Sequence, residues 1–560
     1  MLPGGRSRRQ GEPGLDAGGA RKTGLATMPT ERSPRFVDIV VAALLILTVA
    51  CPLAPAALAQ TGGTLVIGLD QEPPTLDPHA SPSAVTYQII ASVTENLLYR
   101  APDGKLVPWL AESWQSARDG RSVTFKLRRD VKFHDGTPFN AEAVKFNFDR
   151  IVDPKFKAGG ARAALTTYAG SKVLDEHTVQ VSFETPYAPF LNLVASGPLS
   201  IVSPKAVRET GDQVHTRPVG TGPFMVTEYV AKDHATIARN PAYTRKAPWS
   251  DRSGPAYLDS IVWKFVPEAG TRVTTLESGE TQAIYQIPAQ SLPRLEKNTG
   301  LRVEKTPWPG APRIWLLNTT KPPLDDVRVR RAINYAVDKD ALLATVARGI
   351  ALKAFAPLTA VMLDDPALRQ AYPFDAAKAG ALLAEAGWQP GSDGIRTKGG
   401  QRLEIVLNAI DYGGGPEPTV LLIQSSLRDV GIDVKLKAQA RPPWYEDNYR
   451  CATHGPVMFL RSIDPDGLFS LFHSSFVGGN FNWSCVKDAK LDQLLEQGRR
   501  EFDPAKRRAV YLAIEKLAIE EALTVPLLDD LSVWAYRANV QGAKYNFNAY
   551  PVLSDVTIRR

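Results

Sequence analysis

His134 and Asp135 stand side by side in VKFHDGTPFNAEAVKFNFDR, and a histidine beside a carboxylate is the smallest unit from which a general base can be built. The surrounding residues argue for a turn instead. From Val123 to Arg128 apolar and polar residues alternate, the period of a half-buried strand. Asp135-Gly136 supplies the loop chemistry, because glycine takes positive φ without steric cost. Asn140 then falls where an N-cap belongs and Glu142 puts negative charge in the first turn. Val144, Phe148 and Ile151 recur at helical spacing. No Ser, Cys or second His lies near His134 for it to act on, so the stretch is expected to be a strand–turn–helix junction and not a reactive centre.

The rest of the chain offers no replacement. There is no GxGxxG after a strand, no GxxxxGK[ST], no HExxH and no GxSxG, and the seven histidines are scattered singly. No pair of carboxylates stands out from ordinary solvated charge. The net charge of +7 falls to +4, 59 basic against 55 acidic residues, once residues 1–59 are set aside. That balance is too weak and too dispersed to imply a nucleic-acid partner. No metal site and no cofactor are expected.

Residues 1–59 read as a leader and signal peptide. Arg32 and Arg35 precede an uncharged run, residues 39–59, which ends in Ala57-Leu58-Ala59, the small-x-small pattern of a cleavage site. Cleavage near Ala59 and export to the periplasm are expected, with Met28 an alternative start to Met1. An uncleaved anchor is the competing reading, opposed by Pro52, Pro55 and the small-residue tail. Lipid attachment at Cys51 is a lesser alternative, because Leu47 to Ala50 make a poor lipoprotein site and Pro52 follows. An exported chain meets an oxidising compartment, so Cys451 and Cys485 can form a disulfide if their Cα atoms lie within about 7 Å.

A chain of 560 residues exceeds one core and should divide into domains. TLVIGL, residues 64–69, reads as a buried strand, and the loop QEPPTLDPHASPS leads into a helix expected from about Ala84 to Leu98. KVLDEHTVQVSFE and GTGPFMVTEYV with HATIARNP read as strands. The second half is richer in helix: PLDDVRVRRAINYAVDKDALLATVARG reads as two helices, and LEIVLNA, EPTVLLIQSSLRDVG and IDVKLKA as a β-α-β unit. A long helix from Asp503-Pro504 to about Glu521 precedes TVPLLDDLSVWAYR. Two α/β lobes joined near KTPWPGAP, residues 305–312, are expected.

Several stretches together point to a family. LAESWQSARDGRSVTFKLRRDVKFHDGTPFNAEAVKFNFDRI, PVGTGPFMVTEY, LNTTKPPLDDVRVRRAINYAVDK, LRDVGIDVKL and DPDGLFSLFHS resemble, in order, the family 5 extracellular solute-binding proteins, the dipeptide, oligopeptide and nickel group that serves ABC importers. The resemblance implies an α/β, two-lobe periplasmic binding protein of the type II-like, three-subdomain form with a ligand cleft between lobes. Lobe I would comprise residues 60–305 plus 523–560, with an inserted subdomain at about 95–210, and lobe II residues 306–522. The protein would be a monomer and not an enzyme. It would take a peptide or peptide-like solute to a permease at the inner membrane, and an anionic solute is the variant that the charge pattern of the expected binding loops suggests.

Peptide-binding members hold the ligand amine with a carboxylate in the loop before Asp-Pro-Asp. Here that loop is MFLRSIDPDG, and Arg461 falls about where the carboxylate would stand. Dipeptide binders clamp the ligand carboxylate with an arginine in a loop corresponding to AIDYGGGPEP, which here holds Asp411 and Tyr412 but no arginine. Arg461 is therefore expected to hold an anionic group of the ligand, with Asp411 or Asp464 facing a cation or supporting the arginine. A structural salt bridge from Arg461 to Asp464 or Asp466 is the competing reading. Trp308, Trp315, Trp444 and Tyr412 are expected near the hinge or cleft, each with core packing as the alternative. Tyr285, Thr75 and Tyr87 are further contact positions. Arg328, Arg330 and Arg331 are expected on a solvated helix face. A nickel-chelate or haem carrier of the same family is the nearest alternative function. An exported hydrolase is the alternative of a different class, and a sensor presenting its solute to a receptor is a third.

Overall fold

The computed structural model describes residues 62–411 and 415–559. The leader, Cys51, the Ala59 cleavage site and Tyr412 lie outside the described residues. Ten strands build the principal sheet: β1 Thr64–Leu69, β2 Phe224–Val230, β3 His234–Arg239, β4 Ser260–Phe265, β5 Ala283–Tyr285, β6 Leu301–Pro307, β7 Gly310–Leu316, β8 Ala351–Lys353, β9 Val457–Arg461 and β10 Thr524–Arg537. Their order is β9-β7-β10-β5-β1-β4-β3-β2, with β6 and β8 also on β10. The apolar run of β1 is explained by its place, because it is paired in parallel with β4 and β5 and covered on both faces.

The 14 residues of β10 serve two neighbourhoods. Thr524 to Leu528 pair with β7, whereas Leu531 to Arg537 pair with β6. β6 and β7 are themselves consecutive, separated only by Trp308 and Pro309. One strand, β10, thus passes from the pairing with β7 to the pairing with β6.

The cores are separate. Leu65, Ile67, Trp263 and Trp534 belong to one, and Trp315, Ile333, Leu407 and Ile423 to another. Residues 97–201 form a third around Phe125, Phe148, Phe183 and Phe190, whose rings meet edge to face. Its four-stranded antiparallel sheet runs in the order Ala111–Ser116, Ser122–Leu127, Thr178–Phe183, Tyr168–Asp175. The helix Ala141–Val152 packs on it, capped by Asn140, whose side chain accepts from the Ala143 N–H at 3.0 Å. The expected β-α-β unit is Glu404–Ile410, Pro418–Asp429 and Asp433–Gln439, with its strands parallel.

Two expectations need correction. The first helix stops at Ile90 instead of Leu98. Val93 and Leu97 are buried all the same, but in a segment that must deliver the fully buried Glu95 to Arg245, Tyr243, Thr221 and Trp109. In the second half Arg330 is buried, not solvated. It donates to the carbonyls of Leu324 at 2.8 Å and Glu521 at 2.7 Å, while Arg331 donates to that of Glu520 at 2.8 Å. The two guanidinium groups thereby satisfy carbonyls at the end of the Pro504–Glu520 helix.

Candidate functional site

The opening His–Asp pair holds the chain together. His134 Nε2 faces the Gly222 carbonyl at 3.0 Å and Nδ1 accepts from the Gly220 N–H at 3.3 Å. Burial brings its pKa down to about 4, so the ring is neutral at physiological pH. Asp135 accepts from Ser203 Oγ at 2.5 Å and from Thr137 Oγ1 at 2.6 Å.

The residues around the strand crossings are arranged differently. Gly310 opens β7 opposite Arg461, and a Cβ on it would lie 2.1 Å from the Leu460 carbonyl oxygen at a φ of +119°. Only glycine fits there, and the close approach sets Arg461 against Trp308. The guanidinium carbon lies 4.3 Å from the Trp308 ring centroid and 5.0 Å from that of Phe459. Tyr550 meets Trp308 edge to face at 5.7 Å. Burial lowers the Arg461 pKa, while Asp530, Tyr285, Tyr550 and Asp529 act in the opposite sense. Among the described residues no carboxylate lies within 4.0 Å of the Arg461 guanidinium.

The competing pairings for Arg461 are taken up elsewhere. Asp464 is 1% exposed and accepts from Arg507 at 2.6 and 2.9 Å, from Asn192 at 2.6 Å and from the Asp466 N–H at 2.7 Å. Burial pushes its pKa up, but Arg507 and these bonds hold it below the ordinary value. Asp466 accepts from Arg499 at 2.9 Å, and burial lifts its pKa to about 6. The expectation that Asp464 faces a ligand cation does not fit this geometry, because its oxygens are occupied and it ties Asn192 of the inserted subdomain to the Arg507 helix.

Other expected contacts are likewise engaged within the protein. Trp444 packs on Trp483 and Tyr445, each at 5.0 Å, and its indole N–H donates to the Asn408 carbonyl at 3.3 Å. Trp315 is wholly buried, with its N–H on the Gly455 carbonyl. Tyr285 stacks obliquely on Trp534 at 4.8 Å and accepts from Gln286. Thr75 donates to the His215 carbonyl and accepts from the Asp77 N–H, holding a turn. Asp411 Oδ1 accepts from the Gly415 N–H at 3.1 Å. Cys451 and Cys485 are joined, with Cα atoms 6.3 Å apart.

Residues that sequence reasoning missed complete the neighbourhood. Arg313 of β7 binds Asp530 at 3.1 Å and pairs with Glu417 of the loop that carries Asp411, so this arginine is already neutralised. Tyr550 also lines a narrow cavity with Tyr87, Tyr99, Arg100, Trp109 and Trp249. Arg100 lies over the Phe547 ring at 3.8 Å, burial lowers its pKa to about 10, and its Nη1 is buried without a hydrogen-bond partner. The Tyr99 hydroxyl is unpartnered as well. Two ring-stacked arginines with unused donors, Arg461 and Arg100, therefore share Tyr550 as a neighbour. The arrangement can bind an anion.

Residues 105–480 match the family described as bacterial extracellular solute-binding proteins, family 5 Middle. The chain belongs to this family. The glutathione-binding protein GsiB of Escherichia coli (strain K12) is 28% identical over 491 residues, 85% of this chain and 91% of GsiB. HbpA2 from Haemophilus parasuis superposes with a TM-score of 0.78 at 26% identity, covering 89% of this chain and 100% of that one. NikA from Brucella suis, in complex with Fe(III)-EDTA, gives 0.78 at 29% identity with the same coverage. The fold of this solute-binding protein is accordingly the two-lobe periplasmic binding fold.

Proposed function

We propose that this solute-binding protein is the periplasmic, non-catalytic capture component of an ABC importer, and that its solute is a peptide or peptide-like molecule carrying a carboxylate. The observation that carries this reading is Arg461, stacked on Trp308 and Phe459 with no carboxylate within ion-pair distance among the described residues. A partly buried arginine whose nearest acids, Asp530 and Asp529, act on it without contact keeps its fork free for a ligand, and that planar fork matches a carboxylate. Arg100, with its unpartnered Nη1 in the cavity it shares with Tyr550, supplies a second donor. The relatives fit this chemistry, since glutathione and EDTA both present carboxylates.

The pivot would lie where the strands cross, at residues 307–310 and 528–531, which moves the second boundary of lobe II from the expected 522 toward the middle of β10. Asn192 to Asp464, and the Ala188 N–H to the Arg499 carbonyl at 2.8 Å, are the contacts that would open with the lobes. Export with cleavage near Ala59, a monomeric state and delivery to an inner-membrane permease complete the reading. Calorimetric titration with glutathione and with dipeptides tests it. Binding of at least one carboxylate-bearing solute is expected, with a loss of tenfold or more in Arg461→Ala; unchanged affinity in that variant would remove the assignment.

A further inference from the structure

The loop that follows β8 is fastened to the crossing strands and walls a solvent-open cavity of about 270 Å³. The Ala354 N–H donates to the Leu527 carbonyl at 3.3 Å and the Thr359 N–H to that of Gly310 at 2.8 Å. Leu352, Ala354, Phe355, Leu358 and Leu363 give the cavity apolar walls. The charges at its rim are used within the protein. Asp364 accepts from Arg369 at 2.8 and 2.9 Å, Lys353 pairs with Asp340, and Asp365 caps the Ala367 N–H at 3.0 Å.

Two lining groups are not used in this way. Asp529 of β10 is 5% exposed and Thr359 is 2% exposed, and both line the cavity. Asp529 Oδ1 and Thr359 Oγ1 are buried without a hydrogen-bond partner. Leaving such groups unmade costs about 1–3 kcal/mol each, so a cavity that holds two of them is a cavity shaped for an occupant. We infer that it is a second small-molecule site, lined by a different loop from the Arg461 cluster, and that it takes a primary ammonium group on a short apolar chain. An ammonium has three donors, of which the Asp529 carboxylate and the Thr359 hydroxyl receive two. An anion would face Asp529, and an apolar guest would leave both oxygens unpaired. Burial and the neighbouring Asp530 lift the Asp529 pKa to about 7 against the pull of Arg461 and the Ala360 N–H, and a cation held there favours the ionised carboxylate. This inference does not depend on the identity of the solute bound at Arg461.

Calorimetric titration of the mature protein at pH 8 with n-pentylammonium chloride, and with n-pentanol as the neutral counterpart, tests it. The expected result is saturable one-to-one binding of the amine, at least tenfold weaker in Asp529→Asn and about threefold weaker in Thr359→Val. Pentanol is expected to bind at least tenfold more weakly than the amine, and Arg461→Ala to retain amine binding. Circular dichroism establishes that the variants are folded, and Thr359→Val serves if Asp529→Asn is not. Absence of saturable binding, equal binding of pentanol, wild-type affinity in both Asp529→Asn and Thr359→Val, or a crystal soak with the amine away from Asp529 would each overturn it.

Discussion

At the scale of single residues, the proposal turns on Arg461, which has aromatic neighbours and, among the described residues, no carboxylate within 4.0 Å. Arg461→Lys keeps the charge but replaces a planar fork with a point donor that cannot take a carboxylate bidentately. It is expected to lose about tenfold in solute affinity by calorimetry while leaving the thermal midpoint nearly unchanged; equal affinity would mean that charge alone suffices. Glu515 makes a separate prediction. It is fully buried, Oε1 accepts from the Leu358 N–H at 3.0 Å, and Oε2 has no partner. Burial, aided by Asp365 and Asp364 and opposed by that N–H and by Arg508, lifts its pKa to about 8. The folded state therefore holds this proton more tightly than the unfolded chain does. Its contribution is full below the ordinary glutamate range and falls by about 1.4 kcal/mol per pH unit as pH rises toward 8. Glu515→Gln should flatten the loss of thermal stability between pH 5 and pH 8, and a variant as pH-sensitive as the wild type would refute the attribution. Arg461 could be picked out of the sequence because it stands beside Asp-Pro-Asp. That Asp464 and Asp466 are claimed by Arg507 and Arg499 could not, since those partners lie 43 and 33 residues away. Trp315 and Trp444 show the same limit, because an indole suits a cleft or a core equally and only its neighbours decide.

At the scale of elements, periodicity and capping carried most of the information. Asn140 and Asp503 each accept a hydrogen bond at the start of the helix expected of them. The failure at the first helix came from Glu95, whose buried partners override the apolar spacing that continues to Leu97. The close approach at Gly310 is testable. Gly310→Ala places a Cβ against backbone, with no flexible side chain to yield, and at a positive φ. A loss of roughly 1–3 kcal/mol in urea unfolding is expected, together with weaker solute binding, because Arg461 is set by the same strand pairing. Wild-type stability and binding would show that the crossing tolerates a side chain. The Cys451–Cys485 bond closes a loop of 34 residues. In the chain-entropy account that is worth about 4 kcal/mol, so Cys451→Ser/Cys485→Ser should unfold at lower urea and be indifferent to reductant. A double variant as stable as the oxidised protein would contradict this.

At the scale of the whole molecule, the residue and element observations converge on the two-lobe fold, with ring-stacked Arg461 beside the strand β10 that changes partners. The sequence made the two-lobe plan legible through its motifs and its shift from strand-rich to helix-rich halves. It could not show that β10 changes partner from β7 to β6 along its length, because a continuous apolar run looks the same whichever partners it meets on either side. Nor could it bring Arg100, Tyr550 and Arg461 together, since their neighbourhood exists only after folding. The central claim is that the lobes close on an intact, carboxylate-bearing guest and release it unchanged. Native mass spectrometry of protein purified without unfolding, followed by denaturing release of the bound species, tests this most directly. The expected result is a one-to-one adduct whose released guest carries a carboxylate, rebinds the emptied wild type and fails to rebind Arg461→Ala. Chemical conversion of the guest on incubation with the protein, or a guest without anionic groups that rebinds both forms equally, would contradict it.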